Sequence, residues 1–133
     1  TTRPDASAGA SAFSVIVPAY NAAGSIADCL SGIFHQTVSR DEYEVIVVDD
    51  GSTDQTARIA KELGARVVRI PHAGPAAARN HGIEVARGEI LLFTDADCVP
   101  TRTWIESMVE PLLAGADGAK GTYLSSQSGL VPR

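Results

Sequence analysis

No apolar run in these 133 residues approaches the roughly 18 needed to cross a bilayer, so nothing in the sequence reads as a membrane span. Basic charge is scarce too. Eleven Lys and Arg face 16 Asp and Glu, a formal charge of −5, and there is no basic stripe of the kind a nucleic-acid surface shows. Cysteine is limited to Cys29 and Cys98, far apart in sequence and without metal-ligand spacing. That usage fits a reduced compartment. The expected location is the cytoplasm, or the inner face of a membrane reached through other parts of a parent protein. The stretch from Ala19 to Ser25 lacks the G-x-G-x-x-G of a nicotinamide-binding Rossmann protein, and no P-loop is present.

What is present suffices for one globular domain. Hydrophobic residues make up 44% of the chain, and a chain this long buries about two thirds of its unfolded surface. Residues 1–12 are small and polar and read as a flexible arm. Residues 125–133 carry no periodic pattern and read as a flexible tail, leaving 13–124 as the domain. Leu130-Val131-Pro132-Arg133 matches what thrombin leaves of a purification tag, and equally reads as native sequence.

Four apolar runs read as strands: Phe13 to Pro18, Glu44 to Val48, Arg66 to Ile70 and Glu89 to Phe93. The second is apolar on both faces, as a central parallel strand is. The third alternates and suits an edge. Helical patterns separate them. Ser25 is placed to cap a helix running to about His35, the next runs from the turn after Asp54 to about Leu63, and Pro75 opens another that Gly88 closes. A last helix from about Arg102 to Leu113 puts Trp104 and Met108 in the core. Strand and helix thus alternate four times, which predicts an α/β fold: a Rossmann-like three-layer α/β/α arrangement around a mainly parallel sheet.

Loops after the strands of such a sheet gather on one edge, and ligands bind where strand order reverses. Asp49-Asp50 would follow the second strand, and Asp95-Ala96-Asp97 the fourth. Asp49-Asp50 alone would pass for a turn and a helix cap. Two acidic pairs on one edge repel and weaken the fold unless a cation or ligand uses them. Mg²⁺ or Mn²⁺ is the natural partner, since such ions take one or two carboxylates plus phosphate oxygens.

Four motifs in order carry a resemblance: Phe13 to Asn21 (FSVIVPAYN), Val47 to Asp54 (VVDDGSTD), Ala78 to Gly82 (ARNHG) and Gly88 to Asp97 (GEILLFTDAD). Together they resemble the signature of family 2 glycosyltransferases with the GT-A fold, over about Phe13 to Tyr123. The resemblance implies the N-terminal, nucleotide-sugar-binding part of an inverting enzyme that moves a sugar from a nucleotide diphosphate, usually UDP, to an acceptor hydroxyl on a glycan, lipid or protein. It implies that Pro18, Ala19 and Tyr20 line the base pocket, and that Asp50, supported by Asp49, holds the base. Arg79 becomes a diphosphate contact or a structural residue paired with Asp95 or Asp50. Asp97 would bind the metal, and Asp95 the ribose or sugar and, through water, the metal.

The pattern also departs from that family. Its catalytic base lies well downstream, and here only Asp117 follows the last helical pattern, in what reads as a helix-terminal loop. The expectation is a truncated GT-A fold that binds UDP with metal and transfers little or nothing, and that self-associates through exposed apolar surface. His72 reads as a solvated loop residue, His35 and His81 as surface or packing residues, and Cys98 as a small buried side chain. Two rivals remain: a non-catalytic nucleotide-binding module, and a receiver-like signalling domain. The second would place its acidic pair after the first strand, not the second.

Overall fold

The computed structural model describes residues 11–115 and 123–125. Their elements alternate as β1 (Phe13–Ala19), α1 (Ile26–Phe34), β2 (Tyr43–Asp49), α2 (Thr56–Glu62), β3 (Arg66–Arg69), α3 (Pro75–Val85), β4 (Ile90–Phe93), α4 (Trp104–Gly115) and β5 (Tyr123–Ser125), with a short 3₁₀ turn at Arg40–Glu42. The strands form one sheet in the order β3-β2-β1-β4-β5, with every pairing parallel. β3 is an edge, as its alternating pattern indicated. β5 takes in Ser125, which by sequence belonged with the tail.

Alternation along the central strands sends side chains to two cores. Val15, Val17, Val45, Val47 and Leu92 face α1 and α4, where Ile26, Leu30, Ile33, Trp104 and Ile105 are buried. Ile16, Ile46, Val48, Leu91 and Phe93 face α3 and its buried Ala78. The result is three layers, α/β/α. The chain steps from β1 outward to β3, then returns through α3 to the far side of β1, so the order reverses between β1 and β4.

α3 lies close to the sheet because Ala78 and Gly82 present almost no side chain to it. A Cβ on Gly82 would stand 2.5 Å from Cγ2 of the fully buried Ile16. Gly82→Ala gains about 1 kcal/mol of helix propensity but overpacks the core at a cost of about 1–3 kcal/mol. Since Ile16 is fully buried, a net loss of up to about 2 kcal/mol is expected in urea denaturation. An unchanged midpoint would show that Ile16 yields freely.

The edge away from the loops is held by a partly buried polar network. The Ser14 hydroxyl donates to Glu44 Oε2 (2.7 Å) and accepts the Gly88 N–H (2.8 Å), while Glu44 also accepts the Arg87 N–H (2.6 Å) and pairs with Arg66 (3.2 Å). α3 stops at Val85 with Ala86 as its cap, so Gly88 does not close the helix as expected but packs against β1. A Cβ there would lie 2.6 Å from the Phe13 carbonyl carbon. Ala12, assigned by sequence to the flexible arm, is already tied in: its N–H donates to Glu42 O, and its carbonyl accepts the Glu89 N–H. Asp117, residues 1–10 of the N-terminal arm and the thrombin-like tail lie outside the described residues.

Candidate functional site

β1 and β4 part company early. Their register ends at Ile16↔Phe93, whereas β1 stays with β2 as far as Ala19↔Asp49. Pro18 sits beyond the last β4 pairing, where a residue without an N–H costs the ladder least. The splay opens a crevice at the point of strand reversal.

The first two loops at this crevice are fastened together. Asn21, at φ 49°, holds the left-handed conformation that Asn tolerates, and its side-chain oxygen accepts the Thr53 N–H at 2.8 Å. Three successive N–H groups then find acceptors on the second loop: Asn21 to Ser52 Oγ (2.8 Å), Ala22 to Thr56 Oγ1 (2.8 Å) and Ala23 to Asp54 Oδ2 (3.1 Å). Asp54 also accepts from the N–H and hydroxyl of Thr56. The motif residues Ser52, Thr53 and Asp54 are thereby committed to structure.

Asp49 and Asp50 have separate tasks. Asp49 is fully buried; Oδ1 accepts the Ser52 N–H (3.1 Å), and Arg69 Nε lies 2.9 Å from Oδ2, an ion pair without hydrogen-bond alignment. It does not line the cavity. Asp50 does, with both oxygens engaged: Oδ1 accepts the Ala73 N–H (2.7 Å), and Oδ2 accepts the Gly74 N–H (2.9 Å) and faces His72 Nδ1 (3.0 Å). Burial pushes its carboxyl up, but the two loop amides and the imidazole outweigh it and hold the group below the ordinary range. Gly51 follows Asp50 at φ 77°, and a Cβ there would come within 2.8 Å of the His72 backbone nitrogen, so glycine answers both demands.

The crevice is an open cavity of about 240 Å³. Complete small-molecule sites run to roughly 300–1,000 Å³, so it holds part of a ligand. Pro18, Ala19 and Tyr20 form one wall, Pro75 and Ala78 another, and Asp50, His72 and Asp95 supply the polar groups. His72 was read from sequence as a solvated loop residue. It stacks on Tyr20 with ring centroids 4.2 Å apart, and its Nδ1 is bound to the Asp50 carboxylate and carbonyl. Both partners accept only, so Nδ1 carries the proton and Nε2 is an acceptor when the ring is neutral.

Across the crevice, β4 ends at the third loop. Ser25 does not cap α1; its φ and ψ of −128° and −17° are not the extended values a cap takes. Its hydroxyl donates instead to the Ala96 carbonyl (3.0 Å), and the Cys29 thiol to the Asp95 carbonyl (3.5 Å), so α1 carries the loop. Asp95 is half-buried and Asp97 exposed. Burial, and then the Asp97 charge, raise the Asp95 carboxyl, while Arg79 opposes them. Arg79 is thus within electrostatic reach of Asp95, but it forms no ion pair with a described residue. Carboxylate oxygens of Asp95 and Asp97 and the sulfur of Cys98 all lie within 4.8 Å of one another. Two carboxylates this close fit a hard divalent ion, which would remove their mutual repulsion. Cys98, expected to be a buried side chain, is half-exposed and belongs to this group. Nothing in the spacing D-A-D-C singles out the thiol; only the turn, closed by Cys98 N–H to Asp95 O (3.0 Å), brings it round.

A parallel sheet with a crevice at its reversal point, an acidic pair on one side and an apolar wall on the other, is an α/β domain of the doubly wound class, in which ligands bind at such a point. The family model for glycosyl transferase family 2 matches residues 14–133, and the chain belongs to that family. It is 41% identical to glycosyltransferase AglE of Haloferax volcanii over 105 residues, 74% of this chain and 34% of that protein. The crystal structure of Staphylococcus aureus TarS in complex with UDP superimposes with a TM-score of 0.71 at 34% identity, covering 77% of this chain and 32% of that one. Mycobacterium tuberculosis glucosyl-3-phosphoglycerate synthase, solved with Mn²⁺, UDP and glucosyl-3-phosphoglycerate, gives 0.69 at 33% identity over 84% of this chain and 42% of that one. The fold is therefore that of the GT-A glycosyltransferases, and the chain spans about a third of AglE's length. Among the described residues no helix is long and apolar enough to cross a membrane.

Proposed function

We propose that this domain binds the nucleotide diphosphate of a sugar donor, most simply UDP, together with a divalent ion, and serves inverting transfer of the sugar to an acceptor hydroxyl. The observation that carries the reading is the crevice, which sets the Tyr20–His72 stack and the buried Asp50 on one side and the Asp95–Asp97 pair, with Arg79 near it, on the other. A flat base packs against Pro18, Ala19 and the Tyr20–His72 wall. Asp50 or the free Nε2 of His72 accepts its N–H. Arg79, on α3 and without an ion pair among the described residues, offers its guanidinium to the diphosphate, for which a planar fork is well shaped. Asp97 and Asp95 would hold Mg²⁺ or Mn²⁺, which when bound offsets the charge of the departing diphosphate.

The cavity's small size supports a site completed elsewhere. No described side chain stands as a base for the acceptor hydroxyl, so the acceptor site and base are assigned to further residues of a longer protein. The domain alone should bind and not transfer. Calorimetry with UDP, GDP and dTDP, with and without Mn²⁺, tests this: Mn²⁺-dependent heat with one or more is expected, and no heat with any would leave a purely structural domain. Release of sugar to an acceptor by these residues alone would overturn the division of labour.

A further inference from the structure

We infer that Cys98 is a third metal ligand, so that the Asp95–Asp97 site admits a thiophilic divalent ion of the Zn²⁺ class alongside Mg²⁺ and Mn²⁺. The inference rests on the metal reading above and adds to it the identity of the donor set.

The geometry is local. Asp95, Asp97 and Cys98 each bring one donor atom into a group no wider than 4.8 Å, and the Cys98 sulfur lies 3.8 Å from Asp97 Oδ1. Ligand distances of about 2.0–2.3 Å put donors on opposite sides of one ion up to about 4.5 Å apart, so small side-chain rotations close the set. Oxygen donors alone favour hard ions; one thiolate moves preference toward Zn²⁺ and Co²⁺. On binding, Cys98 gives its proton to solvent, the sulfur–metal bond forms, and a metal-bound water leaves. The second thiol is differently placed. Cys29 is fully buried under the loop and donates to the Asp95 carbonyl, outside the group of three donor atoms.

Titration with Co²⁺ followed by absorption tests this. The chain should give a saturable sulfur-to-metal charge-transfer band. Cys98→Ser should abolish the band and weaken Co²⁺ and Zn²⁺ binding by about tenfold or more, while Mn²⁺ affinity, read by electron paramagnetic resonance, changes by less than about twofold. Cys98→Asp should lose the band yet keep Co²⁺ bound through oxygen. No band in the unaltered chain, or one that survives in Cys98→Ser, where only Cys29 could supply it, overturns the inference. Failure of the unaltered chain to bind Mn²⁺ instead overturns the metal reading on which it rests.

Discussion

Asp97→Asn should remove Mn²⁺-dependent nucleotide binding and leave the fold as stable as before, or slightly more so. Asp97 is exposed, and its one side-chain contact in the described structure is the weak one with the Cys98 thiol, so folding loses little. Its charge is a cost to its neighbour, being the second cause, after burial, of the raised Asp95 carboxyl. Neutralising it relieves that repulsion. Binding is different. Loss of groups that merely orient a metal's ligands costs about 10–100-fold in affinity, so loss of a direct carboxylate should cost on the order of 100-fold or more. Calorimetry with UDP and Mn²⁺ measures the loss, and thermal melting of the metal-free protein shows the unchanged fold. A variant that bound UDP with Mn²⁺ as before would remove Asp97 from the site. One that melted well below the parent would make it a structural residue.

Asp50→Ala should do the reverse and damage fold and site together. Its carboxylate is buried and is the acceptor for the Ala73 and Gly74 N–H groups, so truncation leaves two loop amides without partners. Each unsatisfied buried group costs about 1–3 kcal/mol, and partial access of water to this loop keeps the sum at about 2–4 kcal/mol. Nucleotide affinity should fall with it, because His72 loses the anchor that holds it against Tyr20. The same carboxylate sets an acid dependence. Its folded value lies below the ordinary 3.8, so its contribution is complete above that pH and is lost as pH falls through the folded value. Urea unfolding of the parent from neutral pH down to about 3 should show this component, and the Asp50→Ala profile should lack it. Parallel profiles would mean that the loop amides do not depend on the carboxylate.

The architecture was legible because hydrophobic periodicity reports burial directly. Val45 to Val48 are apolar on consecutive positions because both faces of β2 are covered, and Asp95 follows Phe93 closely because β4 runs out of core there. What escaped the sequence depends on partners distant along the chain. Ser25 looks like a cap, yet its hydroxyl bonds the Ala96 carbonyl 71 residues away. Glu44 looks like a surface residue at a strand start, yet it ties Ser14, Arg66 and Arg87. Asp49 and Asp50 are indistinguishable as neighbours in a motif. The pleat turns one toward Arg69 and the Ser52 turn, the other toward the Ala73–Gly74 amides. His72 had no visible partner because its partner lies on a different loop.

The three successive amides of Asn21, Ala22 and Ala23, received by Ser52, Asp54 and Thr56, bear on how this site could be re-engineered. The corresponding loop transplanted from a relative would arrive with its N–H groups set for a different row of acceptors. The graftable unit is accordingly the pair of loops, taken as one cassette with the strands β1 and β2 that hold them in register.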